Sequence, residues 1–141
     1  MQGDLTVFLK KNKRERKNAF YAPSKDFCDA DGEAVKWEFR AVSTSENERI
    51  REECTIEVQE KGTYRSKVDT GRYLGRLVAA SVVHPNLYDA ALQDSYGVKT
   101  PEALLREMID NAGEYAALLA KVSELSGFDR DFQAEVDEAK N

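Results

Sequence analysis

The chain has 141 residues, of which 41% are hydrophobic and 33% are charged, and its formal net charge is −5. This length predicts one domain with its own core, and the acidic balance argues against general attraction to DNA or to anionic lipid. No apolar run approaches the roughly 20 residues that a membrane-spanning helix needs.

Two features point to the cytoplasm. The basic residues of the N-terminal segment follow its apolar residues, which is the wrong order for a secretory signal. The two cysteines, Cys28 and Cys54, are far apart in the sequence. We expect both to be reduced thiols that are buried as small hydrophobic side chains.

Basic residues are concentrated near the N-terminus. Residues 1–25 carry seven basic and two acidic side chains, whereas the rest of the chain carries 14 basic and 24 acidic ones. Leu5, Phe8 and Leu9 share one helical face, which predicts a short helix over residues 4–10. With the basic run Lys10–Lys17, this segment (4–17) is expected to form a helix and a basic arm on a single domain that spans 1–141.

A β-hairpin is predicted over about residues 19–42. The stretch 19–27 is rich in aromatic residues, and Asp31-Gly32 is a strong turn signal. In the second strand, polar side chains alternate with four residues that we expect to face the core, Val35, Trp37, Phe39 and Ala41.

The remaining chain has mainly helical periodicity. A capping box at Ser45 and Glu48 predicts a helix that runs to about Cys54. Residues 55–65 fit either a loop or a short strand. Asp69 is expected to cap the next helix, which should end before Pro85.

Further helices are predicted after the turn-rich segment that begins at Pro85. One starts at Thr100-Pro101 and is broken by Gly113, and the next ends at Gly127. A last helix carries Phe128, Phe132 and Val136. The fold class is therefore α+β, with one β-hairpin packed against a mainly helical domain of five to six helices.

Side chains suited to catalysis or metal binding are scarce. The one histidine, His84, is expected to lie at a helix end, and one histidine with two distant cysteines cannot supply the four ligands of a zinc site. A calcium loop with Gly32 at its sixth position would place Phe27 where a carboxylate is required. We therefore predict no catalytic, cofactor or metal site, and a protein that is not an enzyme.

Function is then expected to depend on surfaces. The candidate partner contacts are the apolar residues of the two terminal helices, which either bind a partner or complete the core: Leu5, Phe8, Leu9, Phe128, Phe132 and Val136. The basic arm fits an acidic partner, such as the acidic C-terminal segment of a second copy, which would give self-association. Nucleic-acid binding is the alternative use, although the arm lacks interleaved aromatic residues for stacking on bases.

Three segments resemble the XkdN-like tail assembly chaperones of bacteriophages. They are SKDFCDADGEAVKWEFRAVSTSENERIREECT (24–55), VVHPNLYDAALQDSYGV (82–98) and TPEALLREMIDNAGEYAALLAKVSELSGFD (100–129). The resemblance covers nearly the whole chain, and none of the three motifs is catalytic.

The resemblance implies a chaperone of the host cytoplasm. It would bind the long helical tape measure protein while the tail tube assembles, be displaced by the major tail protein, and be absent from the virion. A structural tail or neck component retained in the virion is the alternative. The ending Ala139-Lys140-Asn141 also fits a slippery codon run, which predicts a longer frameshifted form.

Overall fold

The computed structural model describes residues 3–128. Two 3-10 turns, Thr6–Phe8 and Lys10–Asn12, lie near the N-terminus. The elements that follow are β1 (Ala19–Tyr21), β2 (Trp37–Phe39), α1 (Thr44–Glu53), β3 (Thr55–Glu60), β4 (Thr63–Val68), α2 (Thr70–Ser81), β5 (Val82–His84), α3 (Ala90–Ser95), α4 (Pro101–Met108) and α5 (Ala112–Leu125). These elements confirm the α+β class.

The predicted hairpin is present as β1 and β2. The strands pair antiparallel with Tyr21 opposite Trp37, and Gly32 has the positive φ of 81° that the turn requires. Alternation places Trp37 and Phe39 in the core, each 2% exposed. Val35 differs from the expectation, since it lies before β2 and is 37% exposed.

A third strand, β5, completes this sheet in the order β1-β2-β5. The mainly apolar stretch 78–83 fits the helical and the strand period alike, and the chain changes from α2 to β5 at Val82. His84 consequently lies in β5 opposite Glu38, so the prediction of a helix-terminal histidine was wrong.

The capping box of α1 begins two residues earlier than predicted. The Ser43 hydroxyl accepts a hydrogen bond from the Glu46 amide at 3.2 Å, and the Glu46 carboxylate accepts one from the Ser43 amide at 3.3 Å. The sequence holds the Ser-x-x-Glu pattern twice in overlapping register, and only Ser43 is the N-cap residue, with the required extended backbone.

Residues 55–68 form a second hairpin, which settles the choice between loop and strand. Strands β3 and β4 pair along their full length, and Lys61 and Gly62 turn the chain with φ of 52° and 82°. None of the twelve strand residues is buried. This hairpin therefore lies outside the core.

Helices α2, α4 and α5 supply most of the core. Helix α2 buries Tyr73, Leu74, Leu77 and Val78, while α4 and α5 bury Leu104, Leu105, Met108, Leu118, Leu119 and Val122. Gly113 does not break a helix, because α4 ends at Met108 and Asn111 caps α5, which places Gly113 in the first turn of α5.

The cysteines divide between core and surface. Cys54 is buried as predicted, with 0% exposure. Cys28 is exposed, and its thiol donates to the Lys25 carbonyl at 3.1 Å. The prediction that both are buried was wrong for Cys28, because it lies beside the turn of the first hairpin, in an isolated bridge with Ala34.

Candidate protein-binding surfaces

The first candidate surface is the N-terminal arm, which we define as residues 3–18. Every residue of the arm is exposed, and two 3-10 turns stand where an α-helix was expected. So short a segment has little intrinsic helix stability, and the Asp4 carboxylate accepts a hydrogen bond from the Thr6 amide at 2.9 Å. The apolar side chains of the arm are largely in solvent: Leu5 is 70%, Val7 66%, Phe8 79% and Leu9 47% exposed.

The basic half of the arm runs beside the start of α1. A wide polar groove of about 1090 Å³ separates the two segments. It is lined by residues 10–18 of the arm, except Asn12 and Lys17, and by residues 40–46 and Ser126. None of the basic side chains of the arm forms an ion pair with a carboxylate of residues 3–128. Their positive charge is therefore available to an acidic partner.

The predicted C-terminal contacts are only partly within the described residues. Phe128 is half-buried and packs against the core, and its amide donates to the Ser123 carbonyl at 3.1 Å. Phe132 and Val136 lie outside the described residues. Both groups of candidate contacts therefore remain predictions.

A second candidate surface was not predicted from the sequence. A recess of about 430 Å³ lies where α2, α4 and α5 meet. Leu74 of α2 and Leu119 of α5 form its apolar wall. The other apolar positions carry small residues, Gly71, Ala112, Gly113 and Ala116. Because a side chain is short or absent at these four positions, the helices leave a gap that larger residues would fill.

Two polar side chains also line this recess, Arg106 and Tyr115. The Arg106 guanidinium donates to the Gly71 carbonyl at 3.3 Å. The Tyr115 hydroxyl lies against α2, where a Cβ added at Gly75 would be 3.4 Å from its oxygen. Burial raises the pKa of Tyr115, and the nearby positive charge of Arg106 lowers it by a smaller amount.

The recess continues into a shallower one of about 540 Å³ between α2 and α4. The two share Gly71 and Arg106, and the second is bordered by Asp69, Arg72 and Glu102. The sequence signal for this surface is the pair of glycines in the first turns of α2, Gly71 and Gly75.

The described residues also bear on metal binding and on membrane insertion. Within residues 3–128 no group of three or more His, Cys, Asp or Glu side chains is arranged to hold a metal ion. Over the same range, no helix has the length and apolar character needed to cross a membrane.

Exposed apolar side chains on the arm and an open apolar recess between helices are features of proteins that act by binding other proteins. Comparison with known proteins defines the family. The family model described as phage XkdN-like tail assembly chaperone protein matches residues 5–140. The chain belongs to this family of phage tail assembly chaperones.

Individual relatives agree with this assignment. The protein YqbN of Bacillus subtilis (strain 168) is 30% identical over 139 residues, covering 98% of this chain and 93% of YqbN. The phage-like element PBSX protein XkdN of the same organism is 27% identical over 139 residues, covering 98% of this chain and 94% of XkdN. The crystal structure of YqbN matches the fold with a TM-score of 0.79 at 25% identity, covering 92% of this chain and 100% of that one.

Proposed function

We propose that this chaperone binds the tape measure protein of its phage in the host cytoplasm and keeps it soluble while the tail tube assembles. Membership of the tail assembly chaperone family supports a protein partner in tail assembly. The observation that carries the finer proposal is the exposed apolar arm, with Phe8 79% and Leu5 70% in solvent.

The proposed mechanism is the covering of apolar surface. A long helical protein with apolar stripes aggregates when those stripes meet one another. The apolar side chains of the arm cover such a stripe, while the charged exterior of the chaperone domain keeps the complex in solution. Tube subunits of the major tail protein then displace the chaperone, because they bury the same stripes in the finished tail.

Co-expression with the tape measure protein of the same gene cluster, followed by size-exclusion chromatography, tests this proposal. We expect the tape measure protein to become soluble and to co-elute with the chaperone. A tape measure protein that stays insoluble, with the chaperone eluting alone, would overturn the proposal.

A matched pair of variants tests the role of the arm. The double variant Leu5→Ser/Phe8→Ser should lose co-elution, because it removes two exposed apolar contacts. The control Tyr64→Ser/Tyr88→Ser changes two side chains that are also exposed, each at 71%, but lie outside the arm. Equal co-elution of the two double variants would show that the arm is not the contact.

The basic run Lys10–Lys17 favours a second candidate function, nucleic-acid binding, because its side chains are exposed and unpaired with described carboxylates. Binding of a labelled oligonucleotide that weakens steeply with salt and is abolished by neutralising the run would favour this function.

Light scattering during chromatography would test the predicted self-association. Mass spectrometry of purified virions separates a chaperone, which should be absent, from a retained structural component.

A further inference from the structure

The recess between α2, α4 and α5 differs chemically from the N-terminal arm. Its walls are apolar, and among the described residues that line it Arg106 is the one that carries a charge. Arg106 is exposed and forms no ion pair with a carboxylate of the described residues. The recess thus offers an apolar surface with one positive charge at its edge.

These features specify the chemistry of an occupant. A guanidinium carries five N–H donors, and a single bond to the Gly71 carbonyl at 3.3 Å uses one of them. The remaining donors are complementary to a carboxylate, which guanidinium groups bind in a paired geometry. An apolar side chain next to that carboxylate would contact Leu74 and Leu119.

The shape of the surface favours a helix as the occupant. The recess and the shallower one beside it share Gly71 and Arg106, so together they form a groove bordered by α2 and α4. Grooves between helices bind amphipathic helices through apolar residues three or four positions apart. The same spacing brings a carboxylate and an apolar side chain together on one helix face.

We infer that this groove binds an amphipathic helix of the tape measure protein, with an acidic side chain on Arg106 and an adjacent apolar side chain in the recess beside Ala116. This inference rests on the proposed function and names the segment of the partner that the chaperone selects. Arg106 gives the recess a preference for an acidic over a basic side chain, because a basic residue at the same position would be repelled. The adjoining part of the groove, bordered by Asp69, Arg72 and Glu102, carries both signs of charge.

Overlapping synthetic 20-residue peptides that cover the tape measure protein provide the test, with binding to the full chain followed by fluorescence anisotropy. The bound peptides should carry an Asp or Glu three or four residues from an apolar residue. Arg106→Gln should weaken their binding at least about tenfold, as expected for loss of a charge-assisted hydrogen bond. The control Arg49→Gln changes an exposed arginine on α1 and should bind as wild type.

A second pair of variants tests the recess itself. Ala116→Leu fills the recess and should also weaken binding at least tenfold. Ala117→Leu is the same change at the next position of α5, which is exposed and does not line the recess, and it should have no effect. Arg106→Glu should bind a peptide in which the acidic residue is replaced by Lys more tightly than it binds the original peptide.

The outcomes separate this inference from the proposed function. If the tape measure protein co-elutes equally with wild type, Arg106→Gln and Ala116→Leu, and the peptides bind all three alike, the groove is not the contact although the proposed function stands. If the wild-type chain binds no peptide, the inference is overturned. Complete competition by sodium octanoate, an apolar carboxylate without a helix, would assign the recess to a small ligand and also overturn it.

Discussion

Arg40 and Glu46 form a paired ion contact that joins the end of β2 to the start of α1. The two guanidinium nitrogens donate to the two carboxylate oxygens at 2.8 and 2.6 Å. The same carboxylate accepts the Ser43 amide as part of the capping box. One acidic side chain therefore fixes the helix start and its position relative to the sheet.

The protonation state of Glu46 should make the free energy of unfolding dependent on pH. The hydrogen bonds from Arg40, opposed by partial burial, lower the pKa of Glu46 to about 2, whereas an unfolded glutamate has a pKa of about 4.3. Because the folded pKa is the lower one, the contribution of Glu46 is complete above about pH 5 and is lost as the pH falls towards 2.

Glu46→Gln should therefore lower the free energy of unfolding at pH 7 by about 1 kcal/mol, a modest value because solvent screens a partly exposed pair. The difference from wild type should shrink as the pH falls below 4. Urea denaturation at pH 7, 4 and 3 measures it. Glu48→Gln, an exposed change on the same helix, is the control, and a difference that does not change with pH would contradict the assignment.

Ser81 should contribute to stability through a buried hydrogen bond. Its side chain is 0% exposed, and its hydroxyl donates to the Arg40 carbonyl at 2.6 Å. We expect Ser81→Ala to lower the free energy of unfolding by about 1–2 kcal/mol, because the Arg40 carbonyl loses a donor in a part-buried position where water replaces it poorly. Thermal or urea unfolding measures the change.

Ser95→Ala is the matched control for Ser81. The Ser95 hydroxyl also donates to a backbone carbonyl, that of Leu92 at 2.7 Å, but the bond is exposed. Water can replace it, so this variant should stay within about 0.5 kcal/mol of wild type. Equal effects of the two variants would show that burial does not set the value of the Ser81 bond.

Elements that depend on local sequence patterns could be predicted. Elements that depend on contacts with distant parts of the chain could not. Alternation around Trp37 and Phe39 identified β2, and Asp69 and Thr100 are the N-caps that their positions predicted. The capping box was misplaced because two serines fit the same pattern, and the contact of Glu46 with Arg40 from another element distinguishes them. Strand β5 was missed because a strand of three residues is too short to show an alternation of apolar and polar side chains.

The two candidate surfaces also differ in how far the sequence predicts them. Exposed apolar residues at the N-terminus could be identified from their spacing, although the sequence left open whether they complete the core. The recess could not be predicted, because small residues of α2 and α5 form it only when those two helices pack together beside α4. Gly71 and Ala116, for example, are 45 positions apart in the sequence.

The two thiols should differ in reactivity in the folded protein. Cys28 is exposed and Cys54 is fully buried, and a thiol reagent must reach the sulfur to react. We expect one rapidly modified thiol per chain under native conditions and two after denaturation in urea. Cys28→Ser should abolish the rapid reaction while Cys54→Ser retains it, and rapid labelling of both thiols in wild type would contradict the assigned burial.

Two tyrosines on neighbouring helices should respond in opposite ways to loss of the hydroxyl group. Tyr73 is 1% exposed, and its hydroxyl donates to the Asn47 side chain. The Tyr115 hydroxyl is buried and forms no well-aligned hydrogen bond among the described residues, although the Arg106 guanidinium lies near enough to lower the pKa of Tyr115. Removing a satisfied hydroxyl leaves the Asn47 oxygen without its donor, whereas removing an unsatisfied one relieves a desolvation cost.

Tyr73→Phe should accordingly lower the free energy of unfolding by about 1–2 kcal/mol, and Tyr115→Phe should leave it unchanged or raise it by up to about 1 kcal/mol. Urea denaturation of both variants under one set of conditions gives the comparison, and each variant is the control for the other, since the chemical change is the same. A loss of stability in Tyr115→Phe as large as that in Tyr73→Phe would mean that the Tyr115 hydroxyl has an acceptor in solution.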